Sequence, residues 1–172
     1  MSKNVKMRLS KNLKKRCIIV GDLMADISKQ VQQENQLSPG TWIALLPGSK
    51  KSKLVVGIPF FLEIADRLSK LLPTCKFLLP VAPTTSVEEF ISLSSKRNPI
   101  AKSYSSGISE IIESENENNF KTLITDKGTK IYLYEKYPAH KYLSQCDIAL
   151  TTVGANTAEL AALGTPMIVI IP

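Results

Sequence analysis

Short apolar runs that each hand over to a turn and then to a stretch of helical composition predict an α/β fold with a doubly wound, mainly parallel sheet. The clearest runs are Trp42-Ile43-Ala44-Leu45-Leu46, Lys76 to Pro80 and Asp147-Ile148-Ala149-Leu150. Helical composition follows at Ile58 to Leu72, Ser86 to Lys96 and Ala155 to Leu163. Strands separated by helices imply crossover connections, which favour parallel pairing. At 172 residues the chain is close to one average domain and can bury a substantial core.

Taken in order, Cys17 to Val20 reads as a strand that leads into a linker or short helix over Leu23 to Gln33. Leu37-Ser38-Pro39-Gly40 is a turn before the Trp42 strand. In the Ile58 to Leu72 helix, Phe61, Ile64, Ala65, Leu68 and Leu72 form one apolar stripe opposite Glu63, Asp66, Arg67 and Lys70. Lys102 to Asn119 is polar and reads as a surface loop, its Glu113 to Asn119 tract being unable to build a core. Phe120 to Thr125 and Thr129 to Tyr134 are strands joined at Asp126-Lys127-Gly128, either as a hairpin or standing apart in the sheet. Pro138 to Gln145 is a short helix with His140 expected on its exposed side. Gly164 and Pro166 stop the Ala155 helix ahead of a last strand at Met167.

Two strand-turn-helix junctions carry the chemistry. In the first, the Trp42 strand runs into Pro47-Gly48-Ser49-Lys50-Lys51-Ser52-Lys53. Gly48 permits close backbone approach, Ser49 and Ser52 offer hydroxyls, and Lys50, Lys51 and Lys53 offer charge, the needs of a diphosphate. The spacing is neither a Walker A loop nor Gly-x-Gly-x2-Gly, so a solvated basic loop is the competing account. In the second, the strand ending at Thr152 turns at Val153-Gly154 into Ala155-Asn156-Thr157-Ala158-Glu159. Amides of Gly154 to Thr157 would face out of the sheet's carboxyl edge, where open α/β sheets bind ligands, and Glu159 is expected in the first helical turn as an acceptor for hydroxyls. A surface Glu favoured by the helix dipole is the plainer alternative.

These two junctions, in this order and with a domain's worth of chain between them, resemble the carboxyl-terminal half of a B-type glycosyltransferase of the lipid-A-disaccharide synthase family. The family's Leu-Pro-Gly-Ser-Arg turn is matched by Leu46-Pro47-Gly48-Ser49-Lys50. Its Ser-Gly-Thr turn, helix with Glu, and Pro-Met-Val-Val strand are matched by Val153-Gly154-Ala155, Glu159 and Pro166-Met167-Ile168-Val169. Gly154, Ala155, Thr157 and Glu159 also look like the related peptidoglycan N-acetylglucosaminyltransferase pattern, with the Glu one place early. The resemblance spans roughly Val20 to Pro172 and implies a Rossmann-like domain, one half of the two-domain fold. It implies UDP-sugar binding by Gly48, Ser49, Lys50, Gly154, Ala155, Asn156, Thr157 and Glu159, the last taking the ribose hydroxyls. Transfer would be to a lipid-linked sugar held by an amino-terminal domain, without a further cofactor. Residues 1–40 would then be the end of that amino-terminal domain and an interdomain segment, and 41–172 the donor domain, incomplete at its carboxyl end.

Departures from the family are specific. Lys50 stands for Arg, which keeps the charge and loses bidentate geometry, and Lys53 stands near a usual Glu. The interdomain Val-Gly-His-Pro-Leu becomes Val20-Gly21-Asp22-Leu23-Met24, without the His. Three other readings stay open: a UDP-sugar epimerase, against which Glu159 followed by Leu160 lacks the paired Glu; a nucleotide-sugar-binding module without catalysis; and one subunit of a split transferase.

Charge is concentrated at one end. Residues 1–16 hold seven cations and no acid, which leaves 15 Lys+Arg against 15 Asp+Glu, so the +7 belongs to this head. Such a head is either a solvated tail or a contact for an anionic membrane. Without interleaved aromatics it does not read as a nucleic-acid partner. No run is long enough for a membrane span, and the Cys17 to Val20 stretch is too soon interrupted for a signal peptide, so a cytoplasmic protein is expected, peripheral at the inner face of the membrane if the head engages it. Cys17, Cys75 and Cys146 read as reduced core thiols. A single histidine and no Asp-x-Asp pair give metal sites no support, leaving helix termini and lysines to hold the diphosphate.

Overall fold

The computed structural model describes residues 6–19, 26, 36–95, 97–113 and 120–171. Its sheet has seven strands in the order β3-β4-β5-β2-β1-β6-β7. These are β1 Trp42–Leu46, β2 Lys76–Pro80, β3 Ile108–Glu113, β4 Lys121–Thr125, β5 Lys130–Tyr134, β6 Ile148–Thr152 and β7 Met167–Ile170. The pairs β5·β2, β2·β1, β1·β6 and β6·β7 are parallel, while β3·β4 and β4·β5 are antiparallel. The fold is therefore the expected Rossmann-like α/β, with an antiparallel meander added at one edge and β4–β5 joined as a hairpin.

Helices cover both faces. On one face lie α2 Lys51–Leu71 and α3 Val87–Ser94 and on the other α4 His140–Leu143 and α5 Ala155–Leu163, while α1 Lys11–Arg16 buries no residue. Every residue of β1 is buried, as a central strand covered on both sides requires. Ile43 and Leu45 join Leu54, Ile58 and Phe61 of α2 in one core layer, and Trp42, Ala44 and Leu46 join Tyr142, Leu143 and Leu160 in the other. Edge-on rings tighten the second layer: Phe120 and Tyr134 lie 5.0 and 4.8 Å from Tyr142, centroid to centroid. Cys146 is buried there, and burial, reinforced by Asp147, pushes its thiol up to about 12, so it stays a protonated packing group. Cys75 is half-buried and packs against the α2-side core layer, whereas half-buried Cys17 joins neither layer, which corrects its placement as a core thiol.

Further expectations are corrected. Helix α2 begins at Lys51, seven residues ahead of the expected Ile58, because the apparent breakers Gly57 and Pro59 are accommodated inside it. A Cβ on Gly57 would come within 2.9 Å of the Pro47 side chain, so only glycine lets α2 lie against the β1 loop. Pro59 lacks the N–H that would bond the Val55 carbonyl, and the buried Asn98 side chain donates to that carbonyl instead, at 2.7 Å. The segment read as a loop over Lys102 to Asn119 contains β3. Its register slips between Ile108 and Glu110, so both Ile108 and Ile111 pack on the core despite their odd spacing, and no period of two is visible. Cys17 to Ile19 form no strand, and Val20 with the 23–25 and 27–33 parts of the expected linker helix lies outside the described residues. The corrections to His140 and Glu159 belong to the site.

At the amino edge of the parallel strands, the β4–β5 turn is held to α2 by a polar network. The Glu63 carboxylate accepts from the hydroxyls of Ser106 and Ser105 at 2.7 and 2.8 Å and pairs with Arg67 at 3.0 Å and Lys127 at 3.2 Å. The Ser106 hydroxyl, helped by Ser105, Arg67 and Lys127, holds this carboxyl well below the usual carboxylate range against the opposing effect of burial. Neighbouring Asp66, 1% exposed, accepts from Thr125 at 2.6 Å through Oδ1.

Candidate functional site

The strand order changes direction between β1 and β6: from β1 the chain builds outward through β2, and later returns to place β6 on β1's other side. Two loops leave adjacent carboxyl ends there, Pro47–Lys50 after β1 and Val153–Gly154 after β6, each running into a helix. This is the crevice at which open α/β sheets bind ligands. The loops are fastened together by the Thr152 hydroxyl, which donates to the Pro47 carbonyl at 3.3 Å. Gly48 turns the first loop at φ +106°, and a Cβ there would meet both Lys53 and Thr152 at 3.2 to 3.3 Å, so both conformation and space require glycine.

Both helices open toward this crevice without a side-chain cap or an acid in the first turn. Helix α2 starts from Lys50, whose carbonyl accepts from the amides of Lys53 and Leu54. Helix α5 starts from Gly154, whose carbonyl accepts both the amide and the hydroxyl of Thr157. The earlier amides of each helix, at Lys51, Ser52, Ala155 and Asn156, have no intrahelical acceptor and carry the positive end of the dipole. Three lysines at such an end oppose the usual preference for acids there.

Lys53 is the side chain that sequence reasoning left out of the binding set. Its stem packs on Gly48, its Nζ donates to the Val153 carbonyl, and a Cβ on Gly154 would lie 3.4 Å from that Nζ. The ammonium thus bridges the two loops, and no carboxylate among the described residues pairs with it. The spacing of Lys53 from Gly48 carried the signal: with α2 starting at Lys51, Lys53 falls in the first turn, beside the glycine.

Two adjoining hollows share Gly48, Ser49, Ala155 and Asn156. The smaller, about 300 Å³, lies between the loops and includes Lys50, Lys53 and Gly154. The larger, about 450 Å³, extends from the loops to Pro80–Thr84 after β2 and to Lys136, Tyr137 and His140 after β5, with Glu159 in its wall. The structure therefore brings Gly48, Ser49, Lys50, Gly154, Ala155, Asn156 and Glu159 to one crevice. Thr157 lines neither hollow, because its hydroxyl is folded back onto Gly154.

Glu159 is the fifth residue of α5, in its second turn, one turn later than expected. His140 is not on an exposed side. Helix α4 is only four residues long, its Tyr142 and Leu143 fill the core, and His140 at its start turns into the larger hollow. There its Nε2 lies 2.6 Å from Glu159 Oε1, with the two side chains 14% and 17% exposed. Nothing in either segment's periodicity announces this pair, since the partners stand on separate helices flanking β6. Among the described residues, no three His, Cys, Asp or Glu side chains gather as metal ligands, and no helix is long and apolar enough to cross a membrane.

Comparison with known proteins gives the same direction. The chain is similar to lipid-A-disaccharide synthases. It is 26% identical to the one from Trichlorobacter lovleyi over 129 residues, which is 74% of this chain and 25% of that protein. It is 31% identical to the one from Idiomarina loihiensis over 83 residues, 45% of this chain and 22% of that protein. The chain thus matches about a quarter of the length of these curated relatives, and the likeness supports a distant relationship to them. No family model matches the chain.

Proposed function

We propose that this chain is the donor-nucleotide part of a glycosyltransferase, binding a UDP-sugar in the crevice between β1 and β6 for transfer to a lipid-linked sugar acceptor. The observation that carries the reading is the convergence on one crevice of two uncapped helix starts, a glycine at φ +106° and the bridging Lys53 ammonium. Such a set of fixed positive groups suits a diphosphate and would stabilise its charge as it departs from the sugar, without a metal ion. The adjoining hollow, with Leu46, Pro80, Val81 and Tyr137 among its walls, offers apolar surface for a pyrimidine base, and Glu159 offers an acceptor for the ribose hydroxyls. The similarity to lipid-A-disaccharide synthases supports hexosyl transfer and a lipid-linked acceptor, the acceptor site lying in an amino-terminal domain of which residues 1–40 would be the end and the interdomain segment.

Calorimetry against UDP, ADP and GDP tests the reading. UDP is expected to bind with a clear preference over both purine nucleotides, and sugar transfer by this chain alone is expected to be absent. Equal affinity for the three, or none, would remove the donor reading; transfer by the chain alone would remove its assignment as a donor part that needs an acceptor domain.

A further inference from the structure

The His140–Glu159 contact sits in the wall of the larger hollow, yet neither partner is needed there for packing. The buried side of α4 is supplied by Tyr142 and Leu143, and that of α5 by Leu160. A carboxylate on a solvated helix face has several rotamers and must give up that freedom to grip a ligand. Glu159 is already held: one oxygen is taken by an imidazole nitrogen at 2.6 Å, and the pair is mostly enclosed by the hollow. Nε2 carries the proton in this contact, which leaves Glu159 Oε2 as the carboxylate oxygen with no partner among the described residues.

We propose that His140 is a positioning residue for recognition of the ligand's vicinal diol: it fixes Glu159 by occupying Oε1 and leaves Oε2 to accept from the hydroxyls. The inference rests on the donor-nucleotide reading and adds to it a selectivity for ribose over deoxyribose that depends on a residue from a separate element. His140 acts through Glu159 and makes no contact of its own with phosphate or base. Lys136 and Tyr137, which precede α4 and line the same hollow, are left to meet other parts of the ligand.

The test measures affinity for UDP and for 2′,3′-dideoxy-UDP in the parent, His140→Ala, His140→Gln, Glu159→Ala and the His140→Ala/Glu159→Ala double variant, with melting temperatures alongside. His140→Ala is expected to weaken UDP roughly three- to tenfold, the weight of one side chain that must now be ordered on binding, and to leave the dideoxy compound unchanged. His140→Gln, which can place an amide N–H near the position of Nε2, is expected to recover most of the loss. In the Glu159→Ala background the His140 change is expected to have no further effect. Equal losses for both nucleotides, or additive losses in the double variant, would overturn the positioning role while leaving the donor reading intact. A parent that binds no UDP would overturn the donor reading, and this inference with it.

Discussion

Replacing Lys53 by methionine separates its two roles, because methionine keeps most of the stem that packs on Gly48 and removes only the ammonium. Two unit charges about 4 Å apart interact by about 4 kcal/mol at an effective dielectric of 20, and desolvation of both partners reduces the net. Hydrogen bonds to charged groups retain about 1.5 to 3 kcal/mol, so Lys53→Met should weaken UDP about ten- to hundredfold. The expected effect on the free protein is small and can have either sign. Removing a cation from the first turn of α2 relieves about 0.3 to 1 kcal/mol of repulsion with the helix dipole, and the lost bond to the Val153 carbonyl offsets it. Calorimetry and thermal melting on the same preparation therefore give contrasting readouts. A Lys53→Met protein that binds UDP like the parent but melts several degrees lower would refute the assignment, leaving Lys53 as a clamp between loops. Lys50→Met is the internal control: its side chain is exposed at the helix start, where salt screens the same charge, and its loss should cost clearly less.

Glu159→Ala should lose about 1.5 to 3 kcal/mol of UDP affinity and almost none for 2′,3′-dideoxy-UDP; a loss of equal size for both would remove the ribose role. For Glu63→Gln, melting is expected to fall by roughly 3 to 10 °C near pH 7, matching about 1.5 to 3 kcal/mol, with UDP binding unaffected at the opposite edge of the sheet. Because the Glu63 carboxyl is depressed in the folded state, its stabilisation is fully present above the unfolded value, near 4.5, and is lost as pH falls below that. The parent's advantage over Glu63→Gln should accordingly shrink on acidification from pH 5 to 3, and a constant gap across that interval would contradict the assignment. If the basic head is a membrane contact rather than a solvated tail, deleting residues 1–16 should abolish sedimentation with anionic vesicles without changing UDP affinity. That segment mixes its cations with exposed Met7 and Leu13, and each cation near the surface contributes about 1 kcal/mol at most. Vesicle binding that survives the deletion would place the contact elsewhere.

What the sequence disclosed and what it hid divide along the range of the interactions. Strands β1 and β2 were legible to the residue because an unbroken apolar run between turn residues has few other uses in a chain of this size. The Gly48 turn was legible because glycine is the residue that such backbone and such close contacts admit, and the α5 start because helical composition follows directly on Gly154. The start of α2 was not, because the signals that usually end a helix, Gly57 and Pro59, are answered by Pro47 across the loop and by Asn98 far along the chain. Strand β3 was hidden by its register slip, and residues 114–119, part of the same polar stretch, lie outside the described residues. The His140–Glu159 pair was hidden because a short helix gives no reliable phase: four residues cannot reveal which side faces inward until Tyr142 and Leu143 are seen in the core.

The same distinction bears on how the crevice is built. A 21-residue helix with no acid in its first turn, and lysines at positions 50, 51 and 53, is arranged against its own dipole at the end that faces β6. Local preference would place Asp or Glu there, and the chain has the acids to do so elsewhere: Glu88 and Glu89 occupy the first turn of α3, capped by Ser86. The contrast within one protein shows that the rule operates where a helix start is only structural. At α2 and α5 the rule is set aside at two neighbouring positions, both beside glycine and both on the switch point of the sheet, while in the β4–β5 turn Lys127 is paired with Glu63. At the crevice the Lys53 ammonium is held by packing on Gly48 and by the Val153 carbonyl, whereas Lys51 turns to Glu89 of α3 at 3.7 Å. Groups fixed in advance lose little freedom on binding, so under the proposed donor reading the dipole cost borne by the free protein would be offset when a diphosphate supplied the missing negative charge.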